Sequence, residues 1–187
     1  RSMRDAGYIS GDESGAFMPK KNATRAEVIK MINNIMGRLI AAPGTYSDIN
    51  GRNVIVNTSG VTLSNLNISG DLYITCGAGQ GSVTLRNSNI TGTVFVIGKS
   101  SVSVEGSGIN TLSVGSGAAG SVVNLDAGSS LQNLIAGAKV NVTGQGSIAS
   151  ATINANGVNI EPSPAKVILN ADSAIIAGKT VTKNPGE

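Results

Sequence analysis

The sequence predicts a mainly β protein, a right-handed parallel β-helix preceded by a short N-terminal α-helical segment. Three observations predict this: the composition, an apolar repeat of about 20 residues, and one helix-type stripe near the N-terminus. The 187 residues include 25 Gly, only 3% aromatic residues and only 13% charged residues. Such a chain, rich in Gly, Val, Ile, Ser, Thr and Asn, is typical of short strands joined by tight turns.

The repeat begins near Asn53 and consists of three apolar columns. The first column holds one V-x-[L/V/I] pair per repeat, with spacings of 22, 19, 21, 17 and 18 residues. Its members are Val61/Leu63, Val83/Leu85, Val102/Val104, Val123/Leu125, Val140/Val142 and Val158/Ile160. The second column is Ile68, Ile90, Ile109, Leu131 and Ile148. The third is Leu72/Ile74, Val94/Val96, Leu112/Val114 and Leu134/Ala136.

Three short strands per repeat describe one coil of a parallel β-helix, in which the apolar residues of each pair point inward. The uneven repeat length favours the right-handed form. A β-sandwich is the alternative, but it would not explain three columns in phase. Four residues after each leading Val, the sequence often places Asn or Gly, as at Asn65, Asn87 and Gly106. These residue types tolerate positive φ and predict a turn.

The helical segment begins at Thr24 and has a capping box. The Thr24 hydroxyl can accept a hydrogen bond from the Glu27 amide, and the Glu27 carboxylate can accept one from the Thr24 amide. An apolar stripe follows at the spacing of one helix face. It comprises Val28, Ile29, Ile32, Ile35, Met36, Leu39 and Ile40. Pro43 and Gly44 predict the end of the helix, so we expect a helical module at 1–42 and the β-helix at 43–187.

Residues 4–40 resemble a known module type. Gly11, Gly15, Phe17 and Pro19 follow a G-x-x-x-G-x-F-x-P pattern, and Thr24-Arg25-Ala26-Glu27 follows it. This stretch resembles the C-terminal two-thirds of a surface-layer homology (SLH) module. The resemblance implies an extracellular protein of a bacterial cell wall or S-layer, attached to anionic secondary cell-wall polysaccharide through a full set of SLH modules. Arg25, at the start of the helix, is then the candidate polysaccharide contact.

The stretch from Gly51 to Gly92 resembles a β-helical region found beside SLH modules in surface proteins of Gram-positive bacteria. The residues that carry this resemblance are Asn53-Val54-Ile55-Val56, Val61-Thr62-Leu63, Ile68-Ser69-Gly70-Asp71-Leu72-Tyr73-Ile74 and Ser82-Val83-Thr84-Leu85. The resemblance implies a fold and no particular activity.

The positive charge is concentrated at the N-terminal end. Residues 1–40 hold seven basic and four acidic side chains, whereas residues 41–187 hold seven of each. This distribution suits an anionic wall polymer. Nucleic acid is disfavoured as a partner, because aromatic side chains do not alternate with the basic ones and no known binding motif is present. No apolar run is long enough for a membrane span.

Few side chains are candidates for catalysis or for metal binding. With no His and a single Cys, we expect neither a transition-metal site nor a cofactor, and we expect Cys76 to be buried. Glu105 and Asp126 form the one plausible pair of carboxylates on adjacent coils, with Glu161 further along the same face. No Arg or Lys aligns with them, so we expect no catalytic residues. A polysaccharide lyase or hydrolase is the weaker alternative.

The outward positions of the third column are unusually apolar. They read Tyr73, Phe95, Ser113 and Ile135. Such a stripe usually marks a contact surface, so we expect Tyr73 and Phe95 to be largely buried against the 24–40 helix or a second copy in a homodimer. A sugar-stacking face is the alternative. The sequence therefore predicts a non-catalytic surface protein that displays a structural or adhesive β-helix, with an extracellular carbohydrate-binding module as the second interpretation.

Overall fold

The computed structural model describes residues 22, 24, 25, 27 and 28, residues 36–49 and residues 53–183. The predicted parallel β-helix is confirmed: the chain winds through about seven turns and forms two nine-stranded sheets with one core between them. Among the described strands, successive coils pair in parallel, and the last strand alone is antiparallel to its neighbour.

Strands of the two sheets alternate along the chain. Sheet A contains β1 (Arg38–Ile40), β3 (Val54–Val56), β5 (Asn67–Ile68), β6 (Leu72–Ile74), β8 (Asn89–Val96), β10 (Gly108–Val114), β12 (Ser130–Ala136), β14 (Ser147–Ile153) and β16 (Lys166–Leu169). Sheet B contains β2 (Gly44–Tyr46), β4 (Val61–Ser64), β7 (Ser82–Arg86), β9 (Ser101–Glu105), β11 (Ser121–Leu125), β13 (Val140–Gly144), β15 (Asn159–Ile160), β17 (Ser173–Ile176) and β18 (Lys179–Thr182). Short 3₁₀ turns occupy Cys76–Ala78 and Ser116–Ala118.

The core consists of the predicted columns. Val61, Val83 and Val102 are in register on adjacent coils and are almost completely buried. The second column pairs residue by residue as expected, from Ile68 through Ile90 to later coils. Because each coil buries its apolar side chains against those of its neighbours, stability accumulates along the axis.

The register of the first column differs from prediction after Val123. Val123 pairs with Val142, whereas Val140 pairs with Ser121. The shift is two residues, and strand side chains alternate with a period of two, so Val140 and Val142 both still point inward. The outward residues shift with them at this step, so Asn124 lies beside Thr143. The next pairing, Asn141 beside Asn159, is as predicted.

The second and third columns belong to single bent strands rather than to separate ones from β8 onward. In β10, Ile109 and Leu112 are both buried although they are three residues apart, so the inward–outward alternation breaks between them. The pairing register with β8 also shifts there. The chain therefore turns a corner of the coil within one strand.

The helix ends earlier than predicted. Met36 is helical, Gly37 has a left-handed φ of 84°, and Arg38 begins β1. Glycine adopts this conformation without strain and commonly follows the last helical residue. Leu39 and Ile40 therefore belong to the first coil of the solenoid, where Ile40 is 1% exposed. The stripe positions Ile29, Ile32 and Ile35 lie outside the described residues.

The two ends of the solenoid differ. At the first coil, β1 and β2 are the edge strands of sheets A and B among the described residues. At the last coil, β16 is the edge of sheet A, whereas sheet B continues past β17 to the antiparallel β18. Sheet B is therefore one strand taller than sheet A at this end, a difference of about 4.8 Å.

Candidate functional site

The capping box at the helix start is confirmed. The Thr24 amide donates to Glu27 Oε2 at 2.7 Å, and the Glu27 amide donates to Thr24 Oγ1 at 3.2 Å. The Thr24 hydroxyl also donates to Glu27 Oε2 at 2.8 Å. Arg25 is exposed on this first turn. A cation there faces the positive end of the helix dipole, so an external anion or a carboxylate would stabilise it.

Tyr73 and Phe95 stack on each other. Their ring centroids are 5.1 Å apart and the ring planes differ by 12°. Both side chains are partly buried, so the expectation that they are largely buried was too strong. Whether the N-terminal helix covers them lies outside the described residues.

The apolar stripe that contains Tyr73 and Phe95 is longer than the sequence indicated. Pairing places Leu39 beside Ile55 and Ile55 beside Tyr73 on outward positions of sheet A. Beyond Phe95 the row continues through Ser113 to Ile135. The face-to-face stack directs the ring faces along the solenoid axis, towards neighbouring coils. A sugar stacks on a ring face open to solvent, so this geometry disfavours a glycan platform at Tyr73 and Phe95.

Asp71 holds this region of the sheet together. Its carboxylate accepts hydrogen bonds from the Thr93 amide at 2.8 Å and from the Tyr73 hydroxyl at 3.3 Å. Desolvation by burial, followed by the charge and hydrogen bond of Asp71, raises the pKa of the Tyr73 phenol above its ordinary value. Asp71 therefore links the backbone of the next coil to the Tyr73 side chain.

The expectation that no basic side chain aligns with Glu105 was wrong. Arg86 pairs with Glu105 on the adjacent strand, and Arg86 Nε lies 2.8 Å from Glu105 Oε2. Arg86 ends the first-column strand one coil earlier, and the predicted register already placed it opposite Glu105. The sequence signal was present and was missed. Because both side chains are substantially exposed, the ion pair contributes little stability.

Asp126 and Glu161 bind backbone amides instead of forming an acid–base pair with Glu105. Both Asp126 carboxylate oxygens lie 3.0 Å from the Gly106 amide, and Oδ1 also accepts from the Ser129 hydroxyl at 2.5 Å. Glu161 Oε2 accepts from the Gly144 amide at 3.0 Å. The Ser129 hydrogen bond, followed by that from Gly106, lowers the pKa of the Asp126 carboxyl. Each carboxylate thus caps a left-handed glycine of the preceding coil.

A groove of about 600 Å³ runs along the later strands of sheet B. Its wall includes Lys139, Asn141, Asn159, Ile175 and Thr180. Asn159 Nδ2 donates to Asn141 Oδ1 at 2.8 Å, so the two amides form a short ladder. Ile175 is 43% exposed and supplies an apolar surface beside them. The groove was not predicted from the sequence, and part of its wall is Thr180 of β18, a strand outside the repeat.

Cys76 is exposed, contrary to expectation. It begins a 3₁₀ turn in which Ala78 is the buried residue.

Within the described ranges, no group of three or more His, Cys, Asp or Glu side chains is arranged to hold a metal ion. The same part of the chain contains no helix with the length and apolar character that crossing a membrane requires.

Comparisons of the chain with protein-family models, with curated proteins and with solved structures gave no match.

Proposed function

We propose that this chain is a non-catalytic structural part of a bacterial cell-surface protein. Its N-terminal segment, which contains Arg25, contributes to attachment to anionic wall polysaccharide. Its β-helix is a stiff module displayed outside the cell. The observation that carries the proposal is that Asp71, Asp126 and Glu161 of the solenoid each accept a hydrogen bond from a backbone amide of a neighbouring coil. The capped helix start that contains Arg25 precedes this solenoid.

The state of the carboxylates supports a structural role. A glycoside-cleaving site needs one carboxyl group as acid and a second as base or nucleophile, with both open to the substrate. Here Asp71, Asp126 and Glu161 accept hydrogen bonds from backbone amides of neighbouring coils, and Glu105 pairs with Arg86. A carboxyl group with a lowered pKa, such as Asp126, is also a poor general acid.

The N-terminal segment supports attachment to an anionic polymer. The first turn places Arg25 beside the capped amides, and Thr24-Arg25-Ala26-Glu27 is the motif that resembles SLH modules. All of the excess positive charge lies in residues 1–40. SLH modules typically act in sets of three, so a single partial module should bind weakly.

The test is co-sedimentation of the chain with insoluble wall fragments that carry the anionic polysaccharide, at low and at high salt. We expect weak binding that salt weakens further, because contacts between exposed charges are screened. Arg25→Ala should reduce the bound fraction clearly more than Lys99→Ala, which removes an equal charge from an exposed loop of the solenoid. Equal binding of the wild type, Arg25→Ala and Lys99→Ala would refute the role of Arg25.

A second candidate function is glycan binding in the groove of sheet B. It is favoured by the Asn141–Asn159 amide ladder beside the exposed Ile175, since amides and apolar surface together suit a sugar. Binding of soluble oligosaccharides should then be lost in Asn159→Ala. It should persist in Asn124→Ala, because Asn124 makes a similar ladder contact with Thr143 outside the groove.

A further inference from the structure

Exposed apolar side chains are concentrated at the C-terminal end of the solenoid. Among the described residues, those in the last coil and β18 are Val167, Ile168, Ile175 and Val181, each between 37% and 43% exposed. Val167 pairs with Ala151 and Val181 pairs with Ala174, so both lie on the core-facing side of their strands. Ala151 is 0% exposed and Ala174 is 3% exposed, whereas Val167 and Val181 are each 37% exposed.

Within the residues that the structure describes, the core is thus incompletely covered at this end. A soluble solenoid normally closes its ends with polar residues or a cap, since open apolar ends associate. Strand β18 covers only the sheet B side. In the part of the chain that the structure describes, β16 has a single neighbour, β14, and its other edge carries unpaired backbone groups. Unpaired edges of this kind readily accept a further strand.

The shape of this end is complementary to itself. Sheet B exceeds sheet A by the one strand β18, so the end forms a step. Rotation of a second copy by half a turn about an axis across the step places its β18 over β16 of the first copy. The same rotation places β18 of the first copy over β16 of the second. In the sheet A half and in the sheet B half of the contact, one β18 strand then lies between the last coils of the two copies. The steps of the two copies therefore fill each other.

We propose that this end binds a second copy of the chain, with β18 of each copy adding to the β16 edge of the other. The contact closes both sheets and covers Val167 and Val181 of both copies. A direct β16-to-β16 pairing is blocked, because β18 of each copy would occupy the space required on the sheet B side. This surface is distinct from the Tyr73–Phe95 stripe, and the inference does not depend on the proposed function.

Charge gives the association a recognisable salt dependence. Lys166 and Lys179 are the first residues of β16 and β18, and Lys183 directly follows β18. Two copies bring these lysines together, with Asp172 as the described acidic side chain of the region. Added salt screens this repulsion. Salt should therefore strengthen the dimer, whereas it should weaken binding to an anionic polymer.

Sedimentation equilibrium of the whole chain, over a range of protein and salt concentrations, is the test. We expect a reversible dimer that tightens with salt. Val181→Lys and Val167→Lys should each raise its dissociation constant by about 100-fold or more, since an ammonium would be left unpaired in an apolar contact. Val122→Lys is the matched control, because Val122 is also 37% exposed but lies on the outward face in the middle of sheet B.

Circular dichroism and thermal unfolding would establish that each variant is folded. A wild-type chain that stays monomeric at the highest concentration overturns the proposal. So does a dimer that survives both end substitutions, or one that Val122→Lys weakens equally. Loss of the dimer in Tyr73→Lys, with no effect of Val181→Lys, would assign the interface to the Tyr73–Phe95 stripe and would also overturn it.

Discussion

The Ser107 hydroxyl lies inside the solenoid and accepts a hydrogen bond from the Ser88 amide, one coil earlier, at 2.9 Å. Its own proton lies within reach of the Glu105 carbonyl oxygen at 2.9 Å. The relationship repeats along the axis: the Leu66 amide donates to Ser88 Oγ, and the Ser107 amide donates to Ser129 Oγ. Buried serines therefore satisfy backbone amides at a corner where strand pairing is interrupted.

The column of buried serines predicts that loss of one hydroxyl group lowers the stability of the fold substantially. Ser107→Ala should destabilise the protein by about 1–3 kcal/mol, because the buried Ser88 amide would lose its partner. Ser103→Ala, on the outward face of the preceding strand β9, should have a much smaller effect. Urea unfolding followed by circular dichroism would measure both. Similar free energies of unfolding for the two variants would contradict the structural role of the column.

The core position Val102 should not tolerate charge. It is 0% exposed and pairs with Val83 and Val123 on the neighbouring coils. Val102→Asp would bury an unpaired carboxylate in a narrow core, so we expect no folded protein at neutral pH. Ser103→Asp, one residue away but directed outward, should fold. A cooperative thermal transition of wild-type size in Val102→Asp would contradict the assigned inward column.

The lowered pKa of the Asp126 carboxyl predicts that the folded protein loses stability at acidic pH. The pKa of this carboxyl is lower in the folded chain than in the unfolded chain. The stability from its hydrogen bonds is therefore present above the unfolded pKa and is lost as the pH falls through the folded pKa. Asp126→Asn should lower the melting temperature near neutral pH, and the difference from wild type should shrink under acidic conditions. A difference that stays constant down to the lowest pH would contradict this role.

Gly144 combines a left-handed backbone with close packing. Its φ is 99°, and a side chain there would collide with the backbone of Leu125 on the preceding coil. Gly79 also has a positive φ, of 56°, but nothing lies near its missing side chain. Gly144→Ala should therefore lower the free energy of unfolding more than Gly79→Ala does. Gly79→Ala should lower it by on the order of 1 kcal/mol, from backbone strain alone. Denaturant unfolding of both variants would give the comparison, and equal losses would argue against the close approach.

The fold could be predicted from the sequence because inward positions repeat along every coil. The exact register of a strand and the exact end of the helix could not be predicted where two arrangements satisfy the same apolar pattern. Val140 and Val142 both point inward, so the pattern does not distinguish pairing of Val123 with one or the other. Leu39 and Ile40 fit the end of a helix stripe as well as a strand. Gly37 is the residue that decides between them.

Prediction of surface features was less complete, because they depend on contacts between coils. The Arg86–Glu105 pair follows from the register, and it could have been found by aligning strand ends as well as strand centres. The groove beside Asn159 includes Thr180 of the antiparallel β18, and this strand has no signal in the repeat. The exposure of Cys76 depends on a 3₁₀ turn between strands.

We propose that the segment with Arg25 contacts the wall polymer and that the solenoid does not. Hydrogen–deuterium exchange of the whole chain, with and without purified anionic wall polysaccharide, distinguishes the two. We expect slower amide exchange in peptides that contain Thr24 to Met36, abolished by Arg25→Ala, and no change across residues 53–183. Slower exchange confined to the strands around Asn141 and Asn159 would contradict the claim and would identify the groove as the binding site.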